Sequence, residues 1–321
     1  MKEQRYRSEG TRDERDALYF ASAAGLRLAQ KQDRILQARC VMCDAGHDLY
    51  VDLGEFVGVI PREEGALGIK SGEVRDVAVI TRVNKMVSFK VTRVLEDQKK
   101  AILSRAAAQQ ECKAYLLDTL RVGDILPARI THLEPFGAFA DIGCGVISMI
   151  SIDNISVSRI RHPRERFSVG MDILAVVRDI DRESGRITLS HKELLGTWLE
   201  NAARFEAGQT VSGVVRSVED YGIFVELTPN LAGLAEYEPG VEAGTLAGVY
   251  IKSILPEKMK IKLAIVDTGE AAPPPAPPRY FLKEGRLICW RYSPDSSARR
   301  IETVFSPDHA ADVLLSKNEI F

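Results

Sequence analysis

The chain has 321 residues, 45% of them apolar and 27% charged, with a formal net charge of −2. That is ordinary globular composition with room for several small domains, and a charge so near zero excludes blanket electrostatic attachment to nucleic acid, leaving only local patches. Five irregularly spaced cysteines argue against a disulfide scaffold; the polar start MKEQRYRSEG lacks a signal-peptide core, and no apolar run approaches the ~18 residues of a membrane span, so a cytoplasmic protein without a membrane partner is expected.

In chain order, residues 1–35 form an N-terminal helical segment, where Thr11 and Glu14 read as a T-x-x-E capping box opening an Ala-rich helix. Residues 36–105 carry short strand-like runs, among them GHDLYVDLG (46–54), GVIP (58–61) and AILSR (101–105). Cys40 and Cys43 make a Cys-x-x-Cys near His47, but no second ligand pair follows and strand alternation turns the two thiols apart, so no metal is assigned. A connecting helix is expected over 106–120, with Ala107, Tyr115 and Leu116 among good helix formers. Residues 121–191 return to short β-branched runs, with a glycine-containing hairpin turn at RESGR (182–186) and a tight Gly143-Cys144-Gly145 turn. A second connecting helix over 192–205 places Leu194, Leu195, Trp198 and Leu199 at helical spacing. Strand-like runs fill 206–267, the polyproline segment at 268–278 reads as a linker, and 279–321 reads as a β-hairpin and tail, with RLICWRY and RRIETVF flanking SPDSSA.

Internal repetition organises these elements. RVGDILPARITHLEPFGAFADIG (121–143), moved by 85 positions, meets EAGQTVSGVVRSVEDYGIFVELT (206–228) without a gap. Gly123 falls on Gly208, Phe136 on Tyr221, Gly137 on Gly222, Phe139 on Phe224 and Asp141 on Glu226. GVIS (145–148) then matches GLAE (233–236), and RITLS (186–190) matches KIKLA (260–264). A more divergent copy lies 89 positions upstream of Phe136, where His47 and Tyr50 take the places of Phe136 and Phe139. Five short strands in about 70 residues, with glycines at the bends, suggest a small closed barrel, because an open sheet of that size leaves unpaired edges.

The aromatic pair is the most informative motif. Phe136 and Phe139 are three apart, so simple alternation would send them to opposite faces. A bulge at Gly137, and likewise at Gly222, would let both rings face outward as a platform. Base stacking on such a platform contributes roughly 1–3 kcal/mol per base with little sequence demand, and unpaired RNA offers the free bases. The competing reading puts the rings in the core; recurrence of the pair in register favours the platform.

On GDILPARITHLEPFGAFADIG with RITLSHKE, GQTVSGVVRSVEDYGIFVEL with KIKL, and more distantly VDLGEFVGVIPREE with AILSR, the chain resembles the S-one domain, an OB-fold RNA-binding repeat named for the largest protein of the bacterial small ribosomal subunit. The resemblance covers roughly residues 36–266. It implies a mainly β protein with helical connectors: three tandem small five-stranded OB-fold barrels, at 36–105, 121–191 and 206–267. It also implies an RNA site on each barrel: Phe136 and Phe139, Tyr221 and Phe224, His47 and Tyr50 as the aromatics; Arg186, Lys260 and Lys100 as the basic residue; and Asp181 as the acidic residue in the second repeat. Leu255 and Leu95 replace that acid elsewhere, and Ser148, Glu236 and Pro61 stand where the family has histidine. Messenger RNA and the small ribosomal subunit are the implied partners, with no small-molecule substrate.

Charge ranks the repeats. SRIRHPRERF (158–167) brings Arg159, Arg161, Arg164 and Arg166 together with His162 beside the second platform, and guanidinium forks suit phosphates. Residues 205–267 hold five basic and nine acidic residues, a balance that repels phosphate. No nucleophile, general-base or metal spacing stands out, so the expectation is a non-enzymatic single-stranded RNA binder without cofactor. The alternatives are a protein-interaction adaptor on the ribosome and a regulator of RNA decay or transcription.

Overall fold

The computed structural model describes residues 6–11 and 13–305; the end of the expected C-terminal tail lies outside these. Two helices come first, α1 (Glu14–Phe20) and α2 (Ala23–Lys31). The start of α1 departs from the sequence reading. Its N-cap is Asp13, whose carboxylate accepts the Arg15 N–H, so Thr11 and Glu14 form no capping box. Ser22 caps α2 by accepting from Gly25, and Ala23, Leu26 and Ala29, three apart, form its buried stripe.

Three closed five-stranded barrels follow, as the repeats imply. Barrel one comprises β1 (Ile35–Cys43), β2 (Leu49–Leu53), β3 (Phe56–Ile60), β4 (Met86–Leu95) and β5 (Lys100–Ser104), with a short α3 (Val77–Ile80) between β3 and β4. After α4 (Arg105–Thr119), barrel two comprises β6 (Ile125–Glu134), β7 (Gly137–Asp141), β8 (Ile147–Ser151), β9 (Asp172–Asp181) and β10 (Arg186–Ser190). After α5 (Trp198–Ala202), barrel three comprises β11 (Thr210–Glu219), β12 (Gly222–Thr228), β13 (Leu231–Ala235), β14 (Thr245–Leu255) and β15 (Lys260–Ala271). In each, the strands close in the order one-two-three-five-four, the third and fifth being parallel neighbours. That is the OB-fold arrangement.

Strict alternation builds the interiors. In barrel one, Leu49, Val51 and Leu53 on β2 meet Val87, Phe89 and Val91 on β4 and Ala101 and Leu103 on β5, all buried. Barrel three repeats the pattern with Ile223 and Val225, Ala247, Val249 and Ile251, and Ile261 and Leu263. Closure leaves no sheet edge in need of a partner.

The described residues fall into two compact units. One runs up to Leu120 and includes Asp141–Ile147; the other comprises Arg121–Ala140 and the residues from Ser148 on. In the first unit, α4 starts at Ser104, whose hydroxyl accepts the Ala107 N–H, and its buried Ala108, Cys112 and Leu116 lie four apart on one stripe. In the second, the single connecting helix expected over 192–205 is instead a 3-10 turn (Lys192–Leu195) and the five-residue α5, separated at Gly196 with φ +84°. The break lets Trp198 turn into the core, where only 2% of it stays exposed.

The C-terminal hairpin forms from β16 (Cys289–Arg291) and β17 (Glu302–Val304). It packs within the second unit. Trp290, Tyr292 and Phe305 join the core of barrel three, and the Tyr292 hydroxyl donates to the Asn230 carbonyl at 2.6 Å. Further back, Tyr280 accepts the Leu174 N–H at 2.9 Å and donates to His191 at 3.1 Å, and Leu287 N–H bonds to the Gly123 carbonyl.

Candidate nucleic-acid interface

In barrel two, β6 and β7 are joined by a two-residue turn, Pro135-Phe136. Phe136 therefore lies at the hairpin corner, outside the pleat, and is free of the alternation that governs β7. Within β7, Ala138 and Ala140 are buried and Phe139 points outward. The two rings meet edge to face, centroids 6.0 Å apart, and Phe136 is 57% exposed. Barrel three repeats the corner with Asp220-Tyr221. Its Tyr221 and Phe224 rings lie 6.1 Å apart, again edge to face, and Tyr221 is 70% exposed.

The glycines act differently from the expected bulge. A Cβ on Gly137 would lie 2.5 Å from the Ile150 carbonyl oxygen, and one on Gly222 2.5 Å from that of Ala235. The next strand's backbone passes too close for any side chain. In the β11–β12 hairpin of barrel three the register shift sits one strand earlier, between Val215 and Ser217 on β11.

One residue missed by the sequence reading joins the platform. His132 on β6 lies beside Phe139, ring centroids 6.1 Å apart, and its Nε2 meets Glu134 Oε1 at 2.5 Å. The signal was available: a two-residue turn fixes the register, and in the aligned hairpin of barrel three Ser217 pairs with Phe224.

The same outward row can be followed around the barrels. In barrel three it reads Ser217, Phe224, Leu234, Lys262. In barrel one it reads Met42, Tyr50, Val59, Ile102, entirely apolar but for one hydroxyl. In barrel two, Met149 pairs with Thr188. His47 and Tyr50 are not brought together as a ring pair. His47 sits at φ +67° with Nδ1 3.3 Å from Asp76, and the Tyr50 hydroxyl donates to Asp44 at 3.1 Å.

The expected basic residues open the last strand of each barrel. Arg186 pairs with Asp181, Lys260 with Leu255 and Lys100 with Leu95. Asp181 is committed to its own hairpin turn. Its Oδ1 accepts the N–H groups of Glu183 (3.0 Å) and Ser184 (3.1 Å), and its Oδ2 accepts the Ser184 hydroxyl at 2.5 Å. The Ser184 hydroxyl and N–H hold this carboxyl below the usual carboxylate range.

Between β8 and β9, Arg159, Arg161 and Arg164 are exposed as expected. His162 caps a 3-10 turn (Pro163–Glu165): its Nδ1 accepts from the Arg164 N–H (3.1 Å) and Nε (3.2 Å). Arg166 departs from the sequence reading. It is 6% exposed and ion-paired with Glu226 of barrel three, so it is no free phosphate ligand.

Comparison with known proteins bears on this site. Residues 119–192, barrel two, match the S1 RNA binding domain. Small ribosomal subunit protein bS1 of Staphylococcus aureus is 32% identical over 236 residues, covering 68% of this chain and 58% of the relative. That of Staphylococcus haemolyticus is 30% identical over 252 residues, 74% of this chain and 62% of the relative. The chain thus spans about three fifths of the length of these relatives. Among solved structures, a multidomain Streptococcus pneumoniae protein with nucleic acid binding domains aligns at 14% identity and TM-score 0.23, covering 73% of this chain and 74% of that one. Among the described residues, no helix is long and apolar enough to cross a membrane, and no cluster of three or more His, Cys, Asp or Glu could hold a metal. The chain therefore resembles ribosomal protein bS1, with its match to the S1 RNA binding domain in barrel two.

Proposed function

We propose that this protein binds single-stranded RNA without catalysis, principally through barrel two, and works in the cytoplasm on messenger RNA at the small ribosomal subunit. The observation that carries the reading is the exposed His132–Phe139–Phe136 cluster on the barrel that matches an RNA binding domain. Bases stack on the rings, while Arg159, Arg161, Arg164 and Arg186 meet phosphates. Barrels one and three contribute less to RNA. Barrel one presents the apolar row Met42, Tyr50, Val59 and Ile102 where a platform is expected. Barrel three holds more acidic than basic groups, and Glu236 stands beside its platform, ion-paired to Lys252 at 2.9 Å. These two barrels suit protein contacts, which keeps an adaptor role as the second reading.

The test is fluorescence anisotropy with a labelled unstructured RNA at two salt concentrations, with a duplex competitor. Salt-sensitive binding that prefers single strands is expected. Changing Arg159, Arg161 and Arg164 to glutamine should flatten the log–log salt dependence by roughly 0.7 per lost phosphate contact. An unchanged slope removes the loop from the RNA site. Absence of binding at micromolar protein makes the adaptor the leading reading.

A further inference from the structure

The loop that carries the three exposed arginines belongs to barrel two, yet barrel three holds it at both ends. At the leading end, the Val157 N–H donates to Asn230 Oδ1 at 2.9 Å, and the Ser158 N–H to the Pro229 carbonyl at 3.2 Å. At the trailing end, Arg166 is ion-paired with Glu226, which also takes a two-pronged contact from Arg216 at 2.9 Å on each oxygen. The third Arg216 nitrogen reaches Glu165 Oε2 at 2.6 Å. Only residues 159–164 stand between these anchors.

The anchors are themselves fixed. Asn230 is fully buried and donates to the carbonyls of Lys192 (2.8 Å) and Gly196 (2.9 Å). Glu226 and Arg166 are both 6% exposed, and Arg166 Nε donates to the Ser156 hydroxyl at 3.2 Å. Buried charges are retained only where each is paired and hydrogen-bonded, and here each is. Arg166 and Arg216 share the Glu226 carboxylate, so removing its charge takes away the Arg166 ion pair and leaves Arg216 with Glu165.

We infer that barrel three is a brace: through Glu226, Arg216 and Asn230 it pre-orders the arginine loop of barrel two for phosphate binding, acting as a set of positioning residues without touching RNA. This rests on the RNA reading of barrel two and extends it to a barrel whose own charge is unsuited to RNA. Side chains and loops ordered only on binding subtract from affinity, and a loop clamped beforehand avoids that cost.

The experiment uses the full chain with Glu226→Gln, the Arg159/Arg161/Arg164→Gln triple variant, and their combination, with a labelled unstructured RNA as probe. Glu226→Gln should weaken binding about tenfold and lower the salt slope, and it should add nothing in the triple-variant background. Amide exchange in residues 156–167 should rise in Glu226→Gln while that of the barrel cores stays unchanged. Arg216→Gln, at a more exposed position, serves if Glu226→Gln does not fold. Unchanged exchange in the loop, or an affinity loss that persists without the three arginines, overturns the brace. If the wild-type chain binds no RNA, the RNA reading fails and with it the loop's proposed purpose, while the exchange result still decides whether barrel three orders the loop.

Discussion

At the scale of single residues, the proposed stacking platform depends on Phe136 escaping the pleat by sitting in the turn. Its exposure means that little core packing should be lost with it. Phe136→Ala combined with Phe139→Ala is expected to cost RNA binding about 2–4 kcal/mol while leaving the melting temperature nearly unchanged. A large fall in melting temperature would return the rings to the core. A different residue contributes to acid stability. His191 is buried between Phe167 and Tyr280, with Nδ1 2.9 Å from the Ile155 carbonyl and Nε2 3.1 Å from the Tyr280 hydroxyl. The carbonyl can only accept, so Nδ1 carries the proton and Nε2 accepts from Tyr280. Burial lowers the pKa of His191 to about 4. The unfolded chain takes up this proton near pH 6.5, the folded one only near 4. Stability from this residue is complete above 6.5 and falls as pH drops toward 4, by about 3 kcal/mol in all. Urea unfolding followed by fluorescence across that window, compared between the wild-type chain and His191→Gln, should differ by this decline.

At the scale of elements, the three hairpins show one device put to different uses. The acid that follows the second strand's outward aromatic by two is Asp52, Asp141 or Glu226. Asp52 accepts the Gly54 N–H, in its own turn. Asp141 is buried and accepts the N–H groups of Glu9 (2.6 Å), Gly143 (2.8 Å) and Gly145 (3.0 Å). Glu226 holds the arginines of the brace. The repeat made this position visible, but Glu9 on Asp141 and Arg166 on Glu226 come from distant parts of the chain, while Asp52 keeps to its own turn. The glycine at the head of the second strand is constrained by the neighbouring backbone. Gly137→Ala must displace β8 at Ile150, with an expected loss of about 1–3 kcal/mol seen as a lower urea midpoint, and a looser platform. An alanine there without cost would mean that β8 can yield.

At the scale of the second compact unit, barrels two and three share buried polar bonds, and the segment after the polyproline run packs on both. The unit holds both tryptophans of the chain, Trp198 and Trp290, buried at 2% and 5% exposure. Trp290→Ala should therefore cost about 3–5 kcal/mol, measured by denaturant unfolding, with the remaining Trp198 fluorescence reporting the loosened core. A cost below about 1 kcal/mol, the range of ordinary surface changes, would make the hairpin a mere appendage.

Much of the architecture was legible because it is written in local periods. Alternating apolar residues, glycines at bends and a spacing repeated three times specify closed barrels, since only closure satisfies so many short strands. The aromatic pair was legible from its position in the repeat, and the exposed arginines from their run of charge. Arg166 was not, because its neighbours in sequence are indistinguishable from it and only Glu226, sixty positions on, decides that it is buried. His132 needed the hairpin register, Asp181 the geometry of its own turn, and the broken connector at Gly196 the demand of Trp198 for the core. The sequence by itself determined which elements form and which faces they bury. Tertiary structure alone decided which polar groups remain available to a ligand, because hydrogen bonds and ion pairs between distant segments leave no period in the sequence.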